Sequence, residues 1–102
     1  MKTIEEIRYD LSKKNFLLSM HSSTRMIERN IALNDIIKAA ENAEIIEDYP
    51  NDKYDPSCLI LGFAEEKPLH LQVTRSANKL MKIITLYVPE LLKWKNYRER
   101  IK

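Results

Sequence analysis

His21, Arg25 and Arg29 stand four residues apart in the run His21-Ser22-Ser23-Thr24-Arg25-Met26-Ile27-Glu28-Arg29. On an α-helix, positions four apart lie about 40° apart around the axis, so one imidazole and two guanidiniums share a nearly straight cationic stripe. Like charges at this spacing repel by roughly 0.2–0.5 kcal/mol per pair, and the stripe calls for an anionic counterpart. That counterpart is either internal, such as Glu28 or an acidic strand, or external, such as a phosphate. An imidazole titrates near pH 6.5 and serves as acid or base, while guanidiniums grip a phosphate through two parallel hydrogen bonds. Met20, Thr24 and Ile27 fall on a different side, a flank that can be buried.

The elements that must position this stripe are legible in outline. Ile4, Ile7, Tyr9 and Leu11 among charges predict a short amphipathic helix over residues 3–14. Phe16-Leu17-Leu18 reads as a small strand or a linker tucked into the core. Ser19 offers a hydroxyl cap to the stripe helix, which should end near Asn30. A second helix opens at Ala32 or Asn34 and runs to about Asn42. From Glu44 the period becomes alternating: strands over 44–49, 57–64, 69–74 and 80–88, joined by a polar turn over 51–56, a hairpin loop over 65–68 and a turn over 75–79. Gly62 marks a bulge or a close approach. In the last strand Ile84, Leu86 and Val88 share one face, and Ile83, Thr85 and Tyr87 the other. Pro89 suits the first turn of a C-terminal helix carrying Leu91, Leu92, Trp94, Tyr97 and Ile101, with Trp94 and Tyr97 as docking anchors. The expected fold is α+β: a four-stranded antiparallel sheet preceded by two or three helices and followed by one more.

Composition narrows the class. A chain of 102 residues with 44% hydrophobic and 31% charged residues predicts one domain over 1–102, with residues 1–15 as an N-terminal helical extension. The lone Cys58 forms no intramolecular disulfide and reads as a buried strand thiol. The two histidines are not at a metal-ligand spacing, so neither metal nor cofactor is expected. The first residues mix both charge signs without an apolar run, so the expected address is the cytoplasm, with no membrane partner. Charge is segregated: residues 1–43 carry seven Lys/Arg and six Asp/Glu, residues 44–68 two and seven, and residues 69–102 eight and two. The basic end is a candidate surface for nucleic acid or an acidic protein.

The helix pattern of His21, Arg25, Met26, Glu28, Arg29 and Ile31, with the strand pattern of Glu44, Ile45, Ile46 and Tyr49, resembles a widespread bacterial family catalogued as a domain of unknown function. The run Pro68 to His70 and the later Ile83, Ile84, Thr85, Tyr87 and Pro89 carry the same resemblance, over roughly residues 17–95. Asn30 departs from the pattern, where glycine is common. The family is similar to RelE/BrnT-type toxins of toxin–antitoxin pairs. That likeness implies a RelE-like fold, an RNA substrate, and an antitoxin partner, in some cases of zinc-finger type. Metal-independent RNA cleavage needs a base for the 2′-hydroxyl, cations for the phosphorus oxygens and an acid for the leaving 5′-oxygen. His21, Arg25, Arg29, His70 and Tyr87 are the catalytic candidates, with Thr85, Arg75 and Lys82 as substrate contacts. Two other readings stay open: a non-catalytic binding module for nucleic acid or an acidic protein, and a structural stripe paired with Glu44, Glu47 or Asp48.

Overall fold

The computed structural model describes residues 1–53 and 55–102, so Tyr54 of the expected polar turn lies outside the described residues. Helix α1 (Ile4–Ser12) starts at Thr3, whose hydroxyl accepts the Glu6 amide while the Glu6 carboxylate accepts the Thr3 amide. Its Ile7 and Leu11, four apart, are buried. After β1 (Phe16–Leu18) comes α2 (Met20–Glu28), capped by Ser19, whose Oγ accepts the Ser22 amide at 3.0 Å. Asn30 ends the turn with a left-handed φ of 53°, letting the Ile31 amide reach back to the Met26 carbonyl at 2.9 Å. Asparagine is one of the few non-glycine residues that enter that conformation readily, so the departure at this position leaves the helix stop intact. Helix α3 (Leu33–Ala40) buries Ile36, Ala39 and Ala40.

Strands β2 (Glu44–Tyr49), β3 (Ser57–Ala64), β4 (Lys67–Thr74) and β5 (Met81–Tyr87) are antiparallel neighbours. The expectation of a four-stranded antiparallel sheet is nevertheless wrong, because β1 lies parallel to β5, with Phe16 opposite Met81 and Leu18 opposite Ile83. The result is a five-stranded mixed sheet in the order β1-β5-β4-β3-β2. Three residues show no period of their own, and the backbone groups along the free edge of β5 decide their place. Helices α1 and α3 cover one face, where Ile7, Ile36, Ile60, Leu71 and Leu86 join a single core cluster. Gly62 is the close approach rather than a bulge: β3 pairs regularly through it, and an added Cβ would lie 2.4 Å from the Ala39 carbonyl oxygen.

Bulges sit instead at Ile46 in β2, between the Ile45–Ile60 and Glu47–Leu59 pairs, and in β5, where Gln72 opposes Thr85 and Val73 opposes Ile83, leaving Ile84 as the extra residue. That insertion corrects the expected faces, since it brings Ile83 and Leu86 together into the core while Thr85 and Tyr87 stay outside it.

The C-terminal helix is also overturned: residues 89–102 form turns and a small hairpin of β6 (Trp94–Lys95) and β7 (Glu99–Arg100). Asn96 and Tyr97 both adopt positive φ, 53° and 62°, which no right-handed helix accommodates. Long-range partners outcompete the helical period. Trp94 is buried, Arg98 reaches Glu44 and Arg100 reaches Glu47, while Leu91 and Leu92, counted toward a helix face, are exposed.

Beyond Ile83 the edge of β5 is sealed by α2 rather than by a strand. Ser22 Oγ donates to the Ile83 carbonyl at 2.9 Å, Ser19 Oγ to Ile84 at 3.1 Å, and Arg29 Nη1 to Leu86 at 2.9 Å. The helix therefore runs along the strand, with His21 near one end and Arg29 near the other. The expected buried flank is corrected too: Met20 and Ile27 are exposed, and Met26 packs against the core in their place.

Candidate functional site

Each charged residue expected to act together has a definite place, and they do not converge on one point. Arg29 and Tyr87 line a cleft of about 500 Å³ between the end of α2 and the C-terminal segment, together with Lys93, Trp94 and Arg100. The Arg29 guanidinium carbon lies 6.0 Å from the centre of the Tyr87 ring. One of its nitrogens holds the Leu86 carbonyl, which fixes the side chain and leaves the rest of the fork to face the cleft.

His70 is fully buried beneath this cleft, opposite Tyr87 across the β4–β5 pair. Its Nε2 lies 2.6 Å from the Tyr97 carbonyl oxygen, a group that can only accept, so Nε2 carries the ring proton. The other nitrogen of the neutral ring then accepts: Tyr87 Oη donates to His70 Nδ1 at 3.2 Å. Burial pushes His70 below its ordinary value, which keeps the ring neutral, and pushes the Tyr87 phenol up. Trp94 closes the pocket edge-on to the imidazole, ring centres 4.5 Å apart. The left-handed backbone at Asn96 and Tyr97 is what turns the Tyr97 carbonyl toward His70.

Around this pair the acidic strand is already neutralised. Arg100 binds both Glu47 carboxylate oxygens, Nε to Oε2 at 2.9 Å and Nη2 to Oε1 at 3.1 Å, and lies over the Trp94 ring at 4.7 Å. Burial alone would raise the Glu47 carboxyl; hydrogen bonds from Arg100 and from the Tyr49 hydroxyl outweigh it and hold the carboxyl below its ordinary range. Arg98 meets Glu44 and Arg75 meets Asp48. So the stripe is not the partner of Glu44, Glu47 or Asp48.

The remaining candidates lie elsewhere. Arg25 pairs with Glu28 at 2.8 Å, with its Nε 3.4 Å from His21 Nε2. His21 and Lys82 line a second cleft, beside Leu17, Leu80 and Ile84. Thr85 sits opposite Gln72 on the outer side of the sheet, between the two clefts along β5. Arg75 spends its donors on the Lys2 carbonyl and Asp48, which makes it a tie between the N-terminus and the sheet. Cys58 is buried, and burial pushes its thiol up to about 12. Among the described residues no three His, Cys, Asp or Glu gather as a metal site, and no helix is long and apolar enough to cross a membrane.

Sequence reasoning grouped His21, Arg25, Arg29, His70 and Tyr87; the structure brings Arg29, His70 and Tyr87 together and sets beside them Lys93, Trp94 and Arg100, which the sequence reading put on a basic C-terminal helix. The signal for the latter was a tryptophan and an arginine six residues apart, which a helical reading put on unrelated faces. Neither a curated protein nor a solved structure matches the chain. The family model described as Domain of unknown function (DUF4258) matches residues 18–88, and the chain belongs to that family.

Proposed function

We propose that this chain binds RNA along α2 and cleaves it in the Arg29–Tyr87 cleft without a metal, as an endoribonuclease-type toxin held in check by a partner protein. The observation that carries the enzymatic part is the Tyr87–His70–Tyr97 proton chain opening into a cleft lined by Arg29, Lys93 and Arg100, with Glu90 beside Lys93 at 3.8 Å. In this reading the Tyr87 oxygen takes the proton of a ribose 2′-hydroxyl while its own proton passes to His70 Nδ1. The freed 2′-oxygen attacks phosphorus, the bond to the 5′-oxygen breaks, and a 2′,3′-cyclic phosphate and a 5′-hydroxyl result. Arg29 holds the phosphate oxygens as charge gathers on them. The Lys93 ammonium, in the same cleft, is the proton donor for the leaving oxygen.

The family match reaches Arg29, His70 and Tyr87 and stops before Lys93 and Arg100, so the base and the phosphate grip belong to the matched span. The toxin setting, and a zinc-finger-type antitoxin as partner, rest on the resemblance of the sequence patterns; the cleavage chemistry rests on the cleft. Purified protein incubated with single-stranded RNA in excess chelator is expected to yield fragments ending in 2′,3′-cyclic phosphate. RNA that binds and stays intact would contradict cleavage and favour the second reading, a binding module. The observation on that side is the separation of His21, the other titratable candidate, from Tyr87.

A further inference from the structure

The cationic stripe joins two clefts, and the one at its far end has the opposite chemistry. His21 and Arg29 are eight residues apart on α2, about 12 Å along the helix. Arg29 lines the cleft at Tyr87, and His21 lines the second cleft, of about 590 Å³, with Lys82 beside it. Along β5 the same two clefts are marked by Tyr87 and Ile84, three residues or about 10 Å apart. A short run of linked nucleotides spans that distance.

The second cleft is unsuited to phosphate. Leu17, Leu80 and Ile84 give it apolar walls, and two carboxylates, Asp52 and Asp55, share its lining. Gln72, Asp52 and Asp55 bring acceptor oxygens to its lining. The Gln72 amide nitrogen donates to Ser57 Oγ at 3.1 Å, and Ser57 Oγ donates to Asp52 Oδ2 at 2.7 Å, which, among the described residues, leaves Gln72 Oε1 and Asp52 Oδ1 to accept from a ligand. Asp55 Oδ1 accepts from Ser76 Oγ at 2.6 Å and lies 3.4 Å from Lys79 Nζ, so its other oxygen is the one offered. A cleft with apolar walls and the acceptors of Gln72, Asp52 and Asp55 in its lining fits an aromatic ring rich in N–H donors.

We propose that this cleft is a nucleobase subsite selecting guanine, whose N1–H and N2–H donors meet the acceptors of Gln72, Asp52 and Asp55, while His21 and Lys82 face the adjoining backbone. The inference rests on the RNA reading above for its place in a substrate, but the pocket can be tested by itself. Two probes separate the two claims: free guanosine, and short single-stranded RNAs identical except for one guanine or uracil.

Titrations by nuclear magnetic resonance are expected to show guanosine shifting the Gln72, Thr74 and Ile84 amides, with uridine shifting them at least tenfold less at equal concentration. The guanine-bearing RNA should bind at least tenfold more tightly than its uracil counterpart. Leu80→Trp, which fills the cleft from an exposed position, and Asp52→Asn should each erase that preference, whereas Arg29→Ala should weaken both RNAs alike. Guanosine that moves none of these amides, or equal binding of the two RNAs, overturns the subsite. Guanosine binding with no RNA binding supports the subsite and removes the RNA reading; equal RNA binding that depends on Arg29 does the reverse.

Discussion

At His70, burial and hydrogen bonding work in opposite directions, and burial prevails. The ring is held below its ordinary value of 6.5 by desolvation, while the Tyr97 carbonyl and the nearby Glu47 charge pull the other way. A folded-state value below the unfolded one means that the unfolded ring takes up a proton the folded ring refuses. The contribution of His70 to stability is therefore complete above about pH 6.5 and declines as the pH falls through and below it. His70→Gln, which keeps hydrogen-bonding capacity without titrating in this range, should flatten that decline. The check is the urea midpoint of wild type and variant at about pH 7.5 and about pH 5.5; an equal loss in both would contradict it. The same neutrality suits a ring that receives a proton from Tyr87, since a ring already charged could not accept one. At Arg29 the fixed bond to the Leu86 carbonyl means that little side-chain freedom is lost when a phosphate arrives.

At the scale of elements, what positions the site is a set of contacts between segments far apart in sequence. The Ser19 cap, the α2 span, the 44–49 and 57–64 strands and the alternation of β4 were legible, because each has a local signature: a hydroxyl at the start, a 3.6 or 2.0 period, a proline or polar turn at the end. The parallel pairing of β1, the bulge at Ile84 and the hairpin at Trp94–Arg100 were not. Each depends on a partner that no window of sequence contains: Met81–Ile83 for β1, Val73 for the bulge, Glu44 and Glu47 for the hairpin. For the same reason His70 and Tyr87 could be placed on adjacent strands, while the Tyr97 carbonyl that sets the tautomer could not be foreseen. Gly62 offers a test at this scale. Its missing Cβ lets α3 sit against β3, and Gly62→Ala would drive a methyl group into the Ala39 backbone. The expected loss is about 1–3 kcal/mol in urea unfolding, as for an overpacked core; an unchanged midpoint would show that α3 gives way freely.

Across the whole molecule, the acidic middle and the basic end of the sequence prove to be largely each other's partners. Arg75, Arg98 and Arg100 cover Asp48, Glu44 and Glu47, so much of the positive charge at the basic end turns inward, to the sheet. Arg29 and Lys82 line the two clefts, in reach of a polyanion, and RNA binding should depend on salt accordingly. Arg29→Ala is expected to lower the slope of log affinity against log salt by about 0.7, the value for one contact to a single strand. An unchanged slope would remove Arg29 from the phosphate path. The central claim is that Tyr87 moves a proton during cleavage, and Tyr87→Phe removes that hydroxyl while keeping the ring that packs beside His70 at 5.2 Å between centres. The decisive measurement is single-turnover cleavage of one RNA by wild type and Tyr87→Phe, each at saturating protein. The variant should cut about 10² to 10⁴ times more slowly with its affinity unchanged, whereas equal cleavage rates would contradict the proposed role of Tyr87.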